Sequence, residues 1–450
     1  MTSRAVVLAL LLCTLGAPAA AEDAKPLSVV LIMADDLGAA ELACYGHETH
    51  RTPHLDRLAA EGMRFETCWS TPLCTPTRVM LLTGRYAHRT GWFDLIDRAL
   101  TPRPSSYLRD VSTWKTFAHV LRGGGYATAL AGKWQLPGKL PDLVHEAGFD
   151  EYLMWAYDHN LPKAIRHEGR ERQDGKGPTS RYWHPALLEN GEYEPTTEVD
   201  YGPDRYTDFL IDFIRRHHTR RFLAYYPMCL THKPWAPTPD PEHPGRKTEG
   251  GLPANLEELD RLVGRLTAAV DELGIAERTL ILFTADNGTQ GRGKRKVTEL
   301  GVRVPLIARC PGTVPAGEVR STLVSLADVY PTLVECAELS LPHGREIDGV
   351  SLLPTLRGED VEHRPWIYSF LEEKEMVRTA QWMLDGAGTL YDCSWNRKKR
   401  GYRKIKPKEE AEDEEARAAR TELEAILDSI PGPDPLREQL IPKGPKGRRR

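Results

Sequence analysis

Apolar positions along the chain fall into two alternating patterns. Residues 28–33 form an apolar run of strand length that stops abruptly at Ala34-Asp35-Asp36-Leu37-Gly38. A strand apolar on both faces suits the middle of a sheet covered on both sides. Residues 55–62 follow Thr52-Pro53-His54 with apolar positions at helical spacing and a closing glycine. Residues 65–70 read as a strand, 113–121 as a helix stopped by Gly123-Gly124-Gly125, and 126–131 as a strand ending at Gly132-Lys133. Further on, 206–214 and 256–273 are helical, while 222–226 and 279–284 are buried strands. This alternation to about residue 340 predicts an α/β unit with a large, mostly parallel sheet.

Two stretches interrupt the pattern. Residues 158–204 are polar and rich in Gly, Pro, Glu and Arg, as in an insertion, and 234–253 form a proline-rich surface loop. The pattern changes after Asp348-Gly349: 366–370, 375–378 and 381–384 are short strands without long helices between them, which predicts a small antiparallel sheet. A basic stretch from 397, an acidic one at 409–415, a helix at 414–427 and a Pro/Gly/Arg tail follow. The expected division is a leader at 1–21, an α/β domain at 22–345, a small α+β unit at 346–430 and a flexible tail at 431–450.

Composition narrows the class without naming it. The 450 residues are 40% hydrophobic and 28% charged, close to globular averages. A net charge of −4 gives no reason to expect a nucleic acid partner. Residues 1–21 carry Arg4, then an apolar run to Cys13, then Gly16, Pro18 and Ala19-Ala20-Ala21, the layout of a cleaved secretory signal. The run is too short to span a bilayer, so the expected product is periplasmic or extracellular, with no stable membrane insertion. Cleavage would leave seven of the eight cysteines, an odd number.

Candidate chemistry sits where strands end. Asp35-Asp36 and Asp286-Asn287 each follow a strand, and ligands in open α/β sheets bind at those ends. Either pair alone is an ordinary turn; together they make a hard-oxygen set suited to Ca²⁺ or Mg²⁺. In Cys74-Thr75-Pro76-Thr77-Arg78, Pro76 suits the first turn of a helix that Gly84 would end. Cys74 and Arg78 would then lie at a helix N-terminus, where anions are favoured; a buried structural cysteine is the competing reading. Lys133, His232 and Lys294 also follow strands, and Arg166, His167, Arg170, Arg172 and His184 lie in the insertion. A divalent cation with an anion bound on it points to metal-assisted hydrolysis of a phosphate or sulfate ester.

At these residues the chain resembles the formylglycine-dependent (type I) sulfatases of the alkaline phosphatase superfamily. Cys74-Thr-Pro76-Thr-Arg78 with Thr83-Gly84-Arg85 fits the family signature. The blocks around Asp35-Asp36, Thr52–Gly62, Gly132-Lys133-Trp134, His232-Lys233-Pro234, Asp286-Asn287-Gly288 and Gly301–Pro305 keep its order. The resemblance implies an alkaline-phosphatase-like α/β sandwich with a small C-terminal sheet packed on a helix. It implies that a formylglycine-generating maturation enzyme converts Cys74 to 3-oxoalanine, whose hydrated aldehyde attacks sulfur. Asp35, Asp36, Asp286 and Asn287, with the modified Cys74, would hold Ca²⁺ in preference to Mg²⁺. Lys133, His232 and Lys294 would bind the sulfate, His232 would protonate the leaving oxygen, and Arg78 would support the diol. The substrates implied are sulfated carbohydrates or other sulfate esters.

Gln135 departs from the pattern, which usually has a histidine there, and Gln cannot take a proton near neutral pH. That substitution favours, as one alternative, a binder of sulfated glycans without turnover. The other alternative is a phosphate or phosphonate monoester hydrolase of the same superfamily. The C-terminal region also departs after Asp392, where Trp395–Arg400 is basic.

Overall fold

The strand that opens the α/β pattern, Ser28–Ala34 (β1), is buried at every position. The molecule is described by a computed structural model covering residues 26–90, 92, 115–136, 141–156, 180–344, 346–394, 402–405 and 413–431. The leader with Cys13, the four insertion residues Arg166, His167, Arg170 and Arg172, the basic stretch 397–400 and the tail from 432 lie outside the described residues.

Ten further strands join β1 in one sheet: Met63–Trp69 (β2), Ala127–Gly132 (β3), Glu151–Trp155 (β4), Leu187–Glu189 (β5), Glu192–Glu194 (β6), Phe222–Pro227 (β7), Thr279–Ala285 (β8), Arg303–Val304 (β9), Leu306–Arg309 (β10) and Glu318–Ser325 (β11). The order is β11-β2-β10-β8-β1-β7-β3-β4-β5-β6, with β9 on β2. The five central strands, β8-β1-β7-β3-β4, are all parallel, and antiparallel pairs appear toward both edges. Parallel strands buried on both faces need cover on both, and the helices supply it in two groups. Helices Pro53–Ala60, Gly202–His217 and Leu252–Glu272 pack on one another, as do Cys74–Thr83, Phe117–Gly123 and Val329–Cys336.

The second sheet, Trp366–Leu371 (β12), Lys374–Thr379 (β13), Trp382–Leu384 (β14), Leu390–Asp392 (β15) and Arg403–Ile405 (β16), is antiparallel throughout. Helix Glu414–Ser429 covers it through Ala416, Ala419 and Leu423, with Asp413 capping its first turn. Its other face packs on the main body around Trp69, Leu73 and Val302.

The insertion differs from expectation. Its C-terminal part holds the hairpin β5–β6, which extends the main sheet, and its last residues belong to helix Gly202–His217. Asn190 and Gly191 turn the hairpin with φ of 48° and 93°, the conformation that Asn-Gly adopts in tight hairpins. All seven described cysteines are free.

Candidate active site

Register brings the two acidic pairs together. Ala34 of β1 faces Ala285 of β8, so Asp35-Asp36 and Asp286-Asn287 leave adjacent strand ends side by side. The Asp36 amide donates to Asp286 Oδ1 at 3.0 Å, and Asn287 Nδ2 donates to Asp36 Oδ1 at 2.8 Å. Asp36 has φ of 62°, a left-handed conformation that a non-glycine residue holds only when its surroundings enforce it. All four residues are wholly buried.

The other strands deliver cations. At the end of β3, Gly132 has φ of 124°, and a Cβ there would lie 2.1 Å from the Pro227 carbonyl oxygen. Only glycine allows that approach, and it lets the Lys133 amide donate to the same oxygen at 2.7 Å. Lys133 Nζ then reaches Asp35 Oδ2 at 2.6 Å. Beyond β7, His232 sits with Nδ1 2.5 Å from the Lys233 carbonyl and Nε2 3.7 Å from Asp36 Oδ2. A carbonyl at Nδ1 fixes the proton there and leaves Nε2 toward the site. Lys294, in the loop after β8, lies 2.8 Å from the Asp36 carboxylate.

Helix Cys74–Thr83 starts at Cys74 with no side-chain cap, and Gly84 closes it at φ of 67°. The Thr77 hydroxyl accepts from the Thr71 amide at 3.0 Å and so fixes the turn leading in. Cys74 Sγ lies within 4.8 Å of carboxylate oxygens of Asp35 and Asp286. One turn on, Arg78 is 1% exposed and clamps two strand ends, donating to Asp286 Oδ2 at 2.6 Å and to the Lys133 carbonyl at 2.9 Å.

Three buried carboxylates this close conflict with one another. Burial opposes ionisation of Asp35, but the charges of Lys133, Arg78 and Lys294 outweigh it and hold that carboxyl well below the usual range. Burial and the Asp35 charge push Asp36 upward and raise Asp286 to about 7. Burial, then the charge of Arg181, hold His232 well below the ordinary histidine value. Asp35 Oδ1 and Asn287 Oδ1 are buried oxygens with no hydrogen-bond partner. Orphaned oxygens among crowded carboxylates are the donor set of a hard divalent cation, and Asp35, Asp36, Asp286 and Asn287 fit one.

The structure therefore gathers every residue singled out from the motifs: Asp35, Asp36, Cys74, Arg78, Lys133, His232, Lys294, Asp286 and Asn287. Gln135 is buried close by, with φ of 54° and its Oε1 unpartnered. Among the insertion residues considered, His184 is half-buried and its amide bonds the Asp200 carbonyl. Arg181 is the residue that motif reading missed. It is 4% exposed, stacks over the Trp155 ring at 4.2 Å and has NH1 3.6 Å from Asp35 Oδ2. Its neighbour Tyr182 donates to the Cys229 carbonyl at 3.0 Å and to the His232 carbonyl, which fixes the His232 segment.

The sulfatase family model matches residues 28–339. Steryl-sulfatase of Mus musculus is 34% identical over 417 residues, 74% of this chain and 66% of that protein. N-acetylgalactosamine-6-sulfatase of Canis lupus familiaris is 32% identical over 373 residues, 76% of this chain and 68% of that protein. The chain thus spans about two thirds of the length of these relatives. The crystal structure of Ps i-CgsB in complex with k-i-k-neocarrahexaose superimposes with a TM-score of 0.69 at 25% identity, covering 90% of this chain and 92% of that one. With this site and these matches, the chain belongs to the sulfatase family of sulfuric ester hydrolases.

Proposed function

We propose that the chain is an exported sulfatase that hydrolyses sulfate esters of carbohydrates through a formylglycine made from Cys74, with Ca²⁺ at the four-residue oxygen set. The observation that carries this reading is the convergence of Cys74, two lysines and a histidine on one cluster of buried, under-bonded oxygens. Converted to 3-oxoalanine, residue 74 would supply a hydrated aldehyde as nucleophile. A Ca²⁺ at Asp35, Asp36, Asp286 and Asn287 would supply positive charge beside it.

The chain's own residues do the rest. Lys133 and Lys294 hold sulfate oxygens, whose charge moves little during the reaction. His232 is the proton donor to the departing alcohol oxygen, acting through Nε2 because Nδ1 is engaged by a carbonyl. A bound sulfate ester, a monoanion, would offset the charge of Arg181 and so raise the proton affinity of His232. Arg78 is a positioning residue: it locks the end of β3 to the end of β8 and so fixes Lys133 against Asp286. Arg181 adds a stacked cation beside Lys133 for an anionic group of the substrate.

Carbohydrate is favoured over other esters by two likenesses. One relative is named for a sulfated amino sugar, and one structural neighbour was solved holding an oligosaccharide. A desulfation screen across sulfated mono- and oligosaccharides and a steryl sulfate, with calcium present, tests it. Release of sulfate from a saccharide supports the reading, and turnover confined to the steryl ester overturns the substrate class.

A further inference from the structure

A cavity of about 980 Å³ lies in the seam between the main body and the small sheet. Its volume falls at the upper end of small-molecule sites, roughly 300–1,000 Å³. None of Cys74, Lys133, His232 or Lys294 lines it. Its lining includes Gly38 and Thr289, each two residues beyond a strand-end pair and joined by a Gly38 N to Thr289 Oγ1 bond of 3.1 Å.

Charge on its wall is left over. Arg378 pairs with Glu299 at 2.9 Å, and Arg292 pairs with Glu41 at 2.7 Å. Arg64 and Arg303 have no carboxylate partner among the described residues. Arg64 lies over the Tyr45 ring at 4.8 Å, and Arg303 donates only from Nε, to the Glu66 carbonyl at 2.7 Å. Two open guanidinium groups in a partly buried wall are a ready site for an oxoanion. The Glu66 side chain lines the same wall and repels a bare anion, but it accepts from hydroxyl groups. Fork donors beside a carboxylate acceptor match a ligand carrying both a sulfate and free hydroxyls.

We propose that this seam cavity binds a sulfated sugar unit of the same chain whose ester lies at the active site, through Arg64 and Arg303 to the sulfate and Glu66 to hydroxyls. The proposal rests on the sulfated-carbohydrate reading above and makes the enzyme prefer oligosaccharides bearing more than one sulfate.

The test titrates full-length Cys74→Ala protein, loaded with calcium, with sodium sulfate and with sulfated tetrasaccharides from carrageenan and heparin. The same titrations follow in a Cys74→Ala chain that also carries Arg64→Ala and Arg303→Ala, with circular dichroism confirming its fold. At least one tetrasaccharide is expected to bind, and the double replacement to weaken it tenfold or more. Arg64→Lys and Arg303→Lys, which keep charge without the fork, should recover only part of that loss. Binding of sodium sulfate that depends on Arg64 and Arg303, with no tetrasaccharide preference, would assign the cavity to free anion and overturn the saccharide. Unchanged affinity on double replacement, or no tetrasaccharide bound, also overturns it. Hydrolysis of a small aryl sulfate by the chain with intact Cys74 reports separately on the catalytic reading, so the two can fail independently.

Discussion

Asn287 donates its amide nitrogen to Asp36 Oδ1 at 2.8 Å, and that bond turns Asn287 Oδ1 into a buried oxygen with no partner. Unsatisfied buried acceptors cost free energy unless something fills them. A bound cation would do so here and would also relieve repulsion among Asp35, Asp36 and Asp286. Calcium is therefore expected to raise the melting temperature of chelator-treated protein. At a hundredfold excess over Kd the gain is about 2.7 kcal/mol. Asn287→Ala should reduce that shift sharply. A melting curve indifferent to divalent cations would argue against the metal site.

The same crowding makes cation binding depend on pH. Without metal, the folded-state pKa of Asp286 is about 7, above its unfolded value of 3.8. Between about pH 4 and 7 the folded protein therefore holds a proton that the unfolded chain has lost. Stability of the metal-free form falls as pH rises through that window. Calcium would displace that proton, and any held by Asp36, so its apparent affinity should climb as pH rises toward 7. Calorimetry at pH 5, 6, 7 and 8 would show this, and a flat profile would contradict it.

A variant at Arg181 tests whether substrate binding can be separated from chemistry. Arg181→Ala should raise KM for a sulfated substrate by roughly tenfold or more, the scale of a lost charged hydrogen bond of 1.5–3 kcal/mol, with a smaller effect on kcat. Arg181→Lys should recover part of the loss, because the charge stays while the stacking on Trp155 weakens. If kcat fell alone with KM unchanged, Arg181 would not be a binding residue.

Gly132→Ala tests the backbone that presents Lys133. Its φ of 124° and the 2.1 Å approach to the Pro227 oxygen leave no room for a methyl group. The expected cost is about 3 kcal/mol or more, with activity falling alongside stability. A melting temperature within a degree or two of wild type would mean the close approach is not required.

Much of this was legible in the chain. The central strands were readable because both their faces are buried, leaving continuous apolar runs such as residues 28–33. Asp35, Asp36, Lys133, Asp286 and Asn287 were readable because each follows such a run directly, whereas Cys74, Arg78, His232 and Lys294 were marked by the motifs around them. Arg181 was not, because no local pattern marks it: it reaches Asp35 only through the packing of its segment on Trp155 and the His232 loop. The hairpin β5–β6 was missed for a different reason. Its strands have three residues each, too short for an alternation to register, and only Asn190-Gly191 signalled the turn. Pairing of the cysteines was open on counts alone; the seven described cysteines are unpaired, six of them buried.

The proposed nucleophile comes from a single side chain, Cys74. Protein expressed with a formylglycine-generating enzyme should be digested, the peptide spanning Cys74 weighed, and the intact sample assayed on an aryl sulfate beside Cys74→Ala. The account predicts an aldehyde in place of the thiol and turnover that Cys74→Ala abolishes while the fold and calcium-dependent melting persist. An unmodified thiol at Cys74 throughout, or turnover undiminished in Cys74→Ala, would contradict it.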